Sequence, residues 1–154
     1  MKKLAASIAL IAGVAFNSSA FAETASGNAA TVLLTTITFV EDQIVDFGTI
    51  PNGTGTCEMD AAGALSNHCS GTGTPGQFTV SGTANQAVDI SVSAGSTDNG
   101  VTYSPLLASN GTTSDSATLD GSGDAVVNVI GDLVLASATG GSRSLTYTLT
   151  VNYQ

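Results

Sequence analysis

The sequence predicts an all-β chain folded as a sandwich or barrel of antiparallel strands, and three observations carry this. Gly, Asn, Asp, Ser and Pro punctuate the chain from Glu23 onward every eight to twelve residues. The short runs between them are rich in Thr, Val, Ile and Leu, side chains that suit a pleated, half-buried surface. The end of the chain alternates cleanly: Leu145, Tyr147, Leu149, Val151 and Tyr153 share one face, and Thr146, Thr148, Thr150 and Asn152 the other. No apolar stripe of period 3.6 and useful length competes with this pattern.

The first element is not part of the fold. Lys2 and Lys3 precede an apolar run from Leu4 to Phe16, and Asn17 to Ala22 end in Ala20-Phe21-Ala22. This is the charged, apolar and small-residue order of a secretory signal peptide, so residues 1–22 are expected to be cleaved after Ala22. The apolar run is shorter than the roughly 20 residues that span a bilayer, which argues against an uncleaved anchor. Residues 23–34 then read as an N-terminal extension and residues 35–154 as the β domain.

Asn28 to Phe47 is Gly-free and long enough for a helix, but nearly half of it is β-branched. Such side chains lose χ1 freedom in a helix. The stretch therefore reads as two strands joined near Glu41-Asp42-Gln43. Ile44 to Ile50 and Val101 to Leu107 are further strand candidates. Gln77 to Gly82 and Ala87 to Ala94 look like a hairpin turned at Ala84-Asn85-Gln86. Ala125 to Leu135 is another strand, with Gly131-Asp132 as its bulge or bend. Phe39, Phe47, Phe78 and Tyr147 are expected in the core.

Charge narrows the function classes. The 154 residues carry 12 Asp+Glu against 3 Lys+Arg, a formal net charge of −9. Loss of Lys2 and Lys3 leaves Arg143 alone against the twelve carboxylates, a formal charge of −11. Nucleic acids and anionic membranes need clustered cations, and none exist here. Stability must come from apolar burial and backbone hydrogen bonds, because one Arg can serve only one or two carboxylates.

Cys57 and Cys69 enclose eleven residues, with Asp60 to Gly63 as a turn. In an exported chain this spacing reads as a disulfide, worth about 3 kcal/mol in the chain-entropy model. The rival is a metal site using His68 and Asp60 or Glu58, but no CxxC or HxxxH spacing supports it. Asp120-Gly121-Ser122-Gly123-Asp124 and Asp98-Asn99-Gly100 resemble fragments of calcium loops, yet lack the spaced carboxylates and the distal Glu. Both read as turns. The sequons Asn52-Gly53-Thr54 and Asn110-Gly111-Thr112 are read as turns too.

No catalytic residue stands out. A nucleophile triad would have to use His68, beside a bonded cysteine. Paired carboxylates for sugar cleavage would need an aromatic cleft, and the chain after Ala22 has only six aromatic residues. Gly71 and Gly73 make no phosphate loop, since neither a Lys nor a helix follows. The expectation is a non-enzyme with no cofactor and no metal.

Several segments together resemble a family of exported bacterial proteins, the domain of unknown function 4402. They are Val45-Asp46-Phe47-Gly48-Thr49-Ile50, Gln77-Phe78-Thr79-Val80-Ser81-Gly82-Thr83, the acidic turn Leu119 to Gly123, Gly131-Asp132-Leu133, and Thr148-Leu149-Thr150-Val151-Asn152-Tyr153. The C-terminus also resembles that of chaperone–usher pilins, with Tyr153 second from last, Gly141 fourteenth from last and alternation between them. That likeness implies an immunoglobulin-like sandwich lacking one strand, which a partner supplies by β-augmentation. It places chaperone and partner-strand docking on Gly141, Leu145, Tyr147, Leu149, Val151 and Tyr153.

A donor strand would draw on Val32 and Leu34 or on Leu33 and Ile37, with the parity open. If these residues instead form the chain's own first strand, the domain is complete. The expected function is a major, shaft-type subunit of a bacterial surface fibre, with a role in adhesion or biofilm. Its partners would be further copies of itself head-to-tail, with a periplasmic chaperone and an outer-membrane usher during assembly. It would be exported through the periplasm to the cell surface or fimbrium, without a stable membrane span. The alternative is a self-contained secreted or cell-surface binding module, and an enzyme ranks third.

Overall fold

A computed structural model describes residues 31–154. The predicted signal peptide and residues 23–30 of the extension lie outside the described residues. The strands belong to one compact unit, Leu33–Gln154. They are β1 (Thr38–Gln43), β2 (Gly53–Met59), β3 (Ala64–Asn67), β4 (Gly71–Thr72), β5 (Gly76–Ser81), β6 (Ala87–Ser93), β7 (Thr97–Asp98), β8 (Val101–Leu107), β9 (Ser114–Thr118), β10 (Asp124–Ala138) and β11 (Thr148–Tyr153). Among the described residues no helix is long and apolar enough to cross a membrane.

The strands form two antiparallel sheets packed as an immunoglobulin-like sandwich. The larger sheet has the order β1-β5-β10-β2-β3-β4, with β8 on the other edge of β10 and β7 beside β8. The smaller has the order β11-β6-β9. The hub is β10. Its first half pairs with β5, from Asp124↔Ser81 to Val129↔Gly76, and its second half with β2, beginning at Gly131↔Met59. β8 pairs with the opposite edge, from Val129↔Leu107 to Leu135↔Val101.

Inner faces follow the period of two. Val127, Val129, Leu133 and Leu135 of β10 are buried, as are Phe78 and Val80 of β5 and Val88, Ile90 and Val92 of β6. One cluster surrounds Cys57, Met59, Tyr103 and Leu135 beside the disulfide, and the other joins β5, β6 and β10 around Val80, Val88, Leu119 and Val129. Among the described residues no polar or charged residue is buried. This is how a chain with so few cations avoids unpaired interior charge.

Turn chemistry follows the sequence except at Asn52-Gly53-Thr54, expected as a turn, where Gly53 and Thr54 already open β2 because Gly53 pairs with Ala138 of β10. Asn99 and Gly100, both at positive φ, form the two-residue link between Asp98 and Val101. The Asp60 carboxylate accepts from the Ala62 and Ala64 amides at 2.9 and 2.8 Å. The Asp120 carboxylate accepts likewise from Ser122 and Asp124. Asn110 accepts from the Thr112 amide at 3.0 Å. Cys57 and Cys69 are bonded, Cα atoms 5.1 Å apart, stapling β2 to the loop after β3. Both sulfurs are thereby taken from the rival metal set, and the His68 side chain lies close against Gly55.

Several expected boundaries differ. Glu41-Asp42-Gln43 do not join two strands but lie inside β1, where the register shifts between Glu41 and Gln43. Asp42 accepts a hydrogen bond from the Thr79 hydroxyl at 2.7 Å, which holds the acidic stretch in the ladder. Ile44 to Ile50 is not a strand, and only the isolated bridge Asp46↔Thr74 remains. The Asp46 side chain accepts from the Gly48 amide, and Gly48 sits at φ 62, so the chain turns there. The turn at Asn85 is present, but β5 and β6 are not a hairpin because it carries the chain from one sheet to the other.

Register runs unbroken through Gly131-Asp132, and the irregularity falls between Leu135 and Ala138, where Ser137 has positive φ. Gly131 (φ 148) is required for another reason, since a Cβ there would collide with the Ser104 carbonyl. The predicted C-terminal strand from Leu145 begins its ladder only at Thr148. Just before it the Thr146 carbonyl lies against Gly95, which has no Cβ to exclude it, and accepts from the Ser96 amide at 3.2 Å outside the β6 ladder. Phe39, expected in the core, is 50% exposed. The reason lies at the open side of the sandwich.

Candidate strand-docking groove

At the same side of the sandwich each sheet ends on a strand whose outer edge is unpaired among the described residues, β1 in the larger sheet and β11 in the smaller. On β1, Phe39 pairs with Val80 and Glu41 with Phe78, so these two side chains stand on the inner face. On β11, Leu149 pairs with Val92, Val151 with Ile90 and Tyr153 with Val88, placing all three on the inner face too. Their partners are buried, but Leu149, Val151 and Tyr153 are only half-buried and all of β1 is exposed. The inner layer is apolar up to both edges, and nothing among the described residues covers it between them.

The two edges meet at one end. The Tyr153 hydroxyl donates to the Thr35 carbonyl at 2.9 Å and accepts from the Thr83 amide at 2.6 Å. The Thr35 amide donates to the Thr83 hydroxyl at 2.7 Å. Leu34–Ile37 on one side and Val151–Tyr153 on the other thus line a groove of about 390 Å³, with no strand ladder across it. Another hollow of similar size differs in chemistry: it lies over Asp89, Ser91, Ser114, Ser116 and Asn152 on the outer face of the smaller sheet.

At the far end Tyr147 stands before β11. Burial, and then the nearby Glu41 carboxylate, push its phenol up to about 12. Its hydroxyl is buried without a hydrogen-bond partner among the described residues. Burial would raise the Tyr153 phenol as well, but the hydrogen bonds with Thr83 and Thr35 outweigh it and bring that group below its ordinary value. An edge-to-face chain of rings crosses the floor: Phe39 to Phe78 at 6.5 Å, Phe78 to Tyr147 at 6.3 Å, Tyr147 to Tyr103 at 5.5 Å. Proceeding from Thr35 to Glu41, β1 runs from the Tyr153 end to the Tyr147 end, opposite in direction to β11.

The sequence-predicted positions divide. Leu149, Val151 and Tyr153 line the open edge of β11, with Tyr147 at its entry. Leu145 packs on the disulfide-side cluster instead. Gly141 (φ 129) lies in the loop before β11 against the Arg143 guanidinium, which donates to the Thr139 and Ser142 carbonyls and faces Asp98 at 3.8 Å. Val32, Leu33 and Leu34 are exposed, whereas Ile37 packs against the chain's own second cluster. Sequence reasoning missed Phe39, Glu41, Thr35 and Thr83. Only the alternation Ile37, Phe39, Glu41 marked the inner face of β1, and Glu41 interrupts its apolar signal.

Among the described residues no group of three or more His, Cys, Asp or Glu side chains is placed to hold a metal. No curated protein and no solved structure matches the chain. Every strand from β1 to β11 falls within residues 37–153, the span that matches the family described as Domain of unknown function (DUF4402), and the chain belongs to that family.

Proposed function

We propose that this protein is a non-catalytic structural subunit of a bacterial surface fibre, assembled by donation of a strand from one copy to the open sandwich of the next. The observation that carries the reading is the pair of edges, on β1 and β11, that no described residue pairs, and whose inner faces converge on one groove while remaining half-exposed. An extended peptide entering there gains backbone hydrogen bonds along an edge and pockets for alternate side chains. It also covers apolar surface that the described residues leave exposed. Because donor and acceptor are different parts of one chain, the contact is head-to-tail and propagates as an open filament.

Unpaired edges are an aggregation hazard in transit. A periplasmic chaperone occupying the same groove, and an usher that exchanges it for the next subunit, complete the proposal. The disulfide fits an oxidising compartment outside the cytoplasm, in keeping with export to the cell surface and a role in adhesion or biofilm. Expression in a host with a pilus assembly system tests the reading. The full chain should give SDS-resistant ladders that heating dissolves. Deletion of residues 23–34 should abolish the ladders and leave a folded monomer. A full chain that stays monomeric, or a deletion that still forms ladders, overturns the proposal, and the first outcome would favour a self-contained binding module.

A further inference from the structure

We infer that Glu58 and Asp132 form a cross-strand carboxyl pair that takes up and shares one proton on mild acidification, so that a falling pH stabilises the ladder between β2 and β10. Neither residue lines the groove, so the pair is independent of the fibre reading above.

The pairing follows from register. Asp132 of β10 stands directly opposite Glu58 of β2, and on its other side it pairs with Ser104 of β8. Glu58 in turn pairs with Ser66 of β3. The adjacent row Cys57, Leu133, Tyr103 is buried, which puts this one on the outer face of the larger sheet. Two carboxylates therefore sit side by side, with a serine at each end of the row. Directly opposed Cβ atoms lie about 4.5–5.5 Å apart, and like charges at that spacing repel. At Asp132 β10 is held between β2 and β8, so the repulsion is not relieved by moving the strand.

The remaining carboxylates show what this pair lacks. Asp46, Asp60 and Asp120 accept from amides of their own turns, Asp42 and Asp124 accept from hydroxyls, and Asp98 faces Arg143. Among the described residues only Glu41, Glu58 and Asp132 have no such partner. Two of those three face each other. The groups around them bring no cation. Thr56 and Asp60 flank Glu58 along the chain, and the Asp60 carboxylate is turned onto the Ala62 and Ala64 amides. Ile130 and Val134 flank Asp132, while the Tyr103 phenol lies on the buried face and donates to the Ile130 carbonyl. A single proton placed between the two carboxylates replaces repulsion by a hydrogen bond, and it belongs to the pair rather than to either residue.

Burial, and then the Glu58 charge, hold the half-buried Asp132 carboxyl above its ordinary value. A carboxyl raised on folding contributes stability that is fully present below its unfolded value of 3.8 and is lost as pH rises through the folded value. Asp115 and Asp120 run the other way. Hydrogen bonds, foremost from the Ser109 hydroxyl and the Asp124 amide respectively, lower them, so their contribution is lost as pH falls. The pair thus offsets part of what acid takes from the loops.

Thermal melting of the purified protein as wild type, Glu58→Gln, Asp132→Asn and the double variant tests this. Near pH 7 each single variant should melt roughly 2–4 °C above wild type, because it ends the repulsion. The double variant should gain no more than about what the better single one does, since both remove the same interaction. Near pH 4 these gains should shrink by at least about half, the wild-type pair having taken up its proton. Carboxyl carbon-13 NMR reads the wild type directly: Asp132 should titrate above the ordinary carboxylate value, and Glu58→Gln should lower its midpoint. Gains equal at both pH values, gains that add in full, an ordinary Asp132 midpoint, or a midpoint that Glu58→Gln leaves in place would each overturn the inference.

Discussion

The two longest stretches of alternating sequence near the C-terminus, β10 and β11, meet very different fates. Both place an apolar row on the inner face. In β10 that row is sealed, with Val129 at 0% and Leu135 at 2% exposure, while Leu149 and Val151 of β11 stay half-buried. The difference lies in neighbours rather than residues. β10 has β5 and β2 along one edge and β8 along the other, whereas among the described residues β11 has only β6. Alternation decides which face turns inward, but a second neighbour decides whether that face is covered.

The sharpest way to break this comparison is to truncate one side chain on each strand. Leu135→Ala should cost about 3 kcal/mol in denaturant unfolding of the monomer, because it opens a cavity in a sealed cluster. Leu149→Ala should cost about 1 kcal/mol, since only part of its surface leaves water on folding. Equal losses would mean that the β11 side is as closed as the β10 side. In the assembled fibre the Leu149 loss should grow, which a melting series on polymer would read.

A similarly large effect belongs to the sealed side alone. Joint replacement of Cys57 and Cys69 by Ala should lower stability by about 3 kcal/mol through the freed loop. Ladder formation by the surviving folded fraction should persist, because neither cysteine lines the groove. Loss of ladders at unchanged stability would contradict that separation.

The smallest effect sharpens the open side. The Tyr147 phenol is raised to about 12 by burial and by Glu41. The folded state thus holds this proton more tightly than the unfolded chain does. Its contribution is fully present below the unfolded value near 10, and it is lost as pH rises from about 10 through about 12. Tyr103 is raised as well, by burial first and then by Tyr147 and Asp132, so the wild-type melting temperature should fall across this window. Tyr147→Phe should make the fall shallower. An unchanged slope would show that the phenol is not desolvated at the groove entry.

Much of the fold was legible because its signals are local. Asn99-Gly100 marks a two-residue turn, Asp60 and Asp120 cap their own loops, and the Cys57–Cys69 spacing closes one hairpin. Phe39 was misjudged because an aromatic residue within a β-branched run looks like core, whereas no described residue pairs the outer edge of β1 and Phe39 stays exposed. The pairing of β5 and β6 was misjudged for a related reason, since a turn signal does not say whether the chain returns to the same sheet.

By itself the sequence determined an acidic all-β chain, its turns, its disulfide and the inward face of each strand, since these depend on residue type and a period of two. The tertiary structure alone decided that β10 is sealed on both edges, that β1 and β11 end their sheets at the same side, and that Thr35 and Tyr153 pin one end of the groove between them. Such facts belong to pairs of segments up to 118 residues apart, and no local pattern encodes which of two equivalent edges will find a partner.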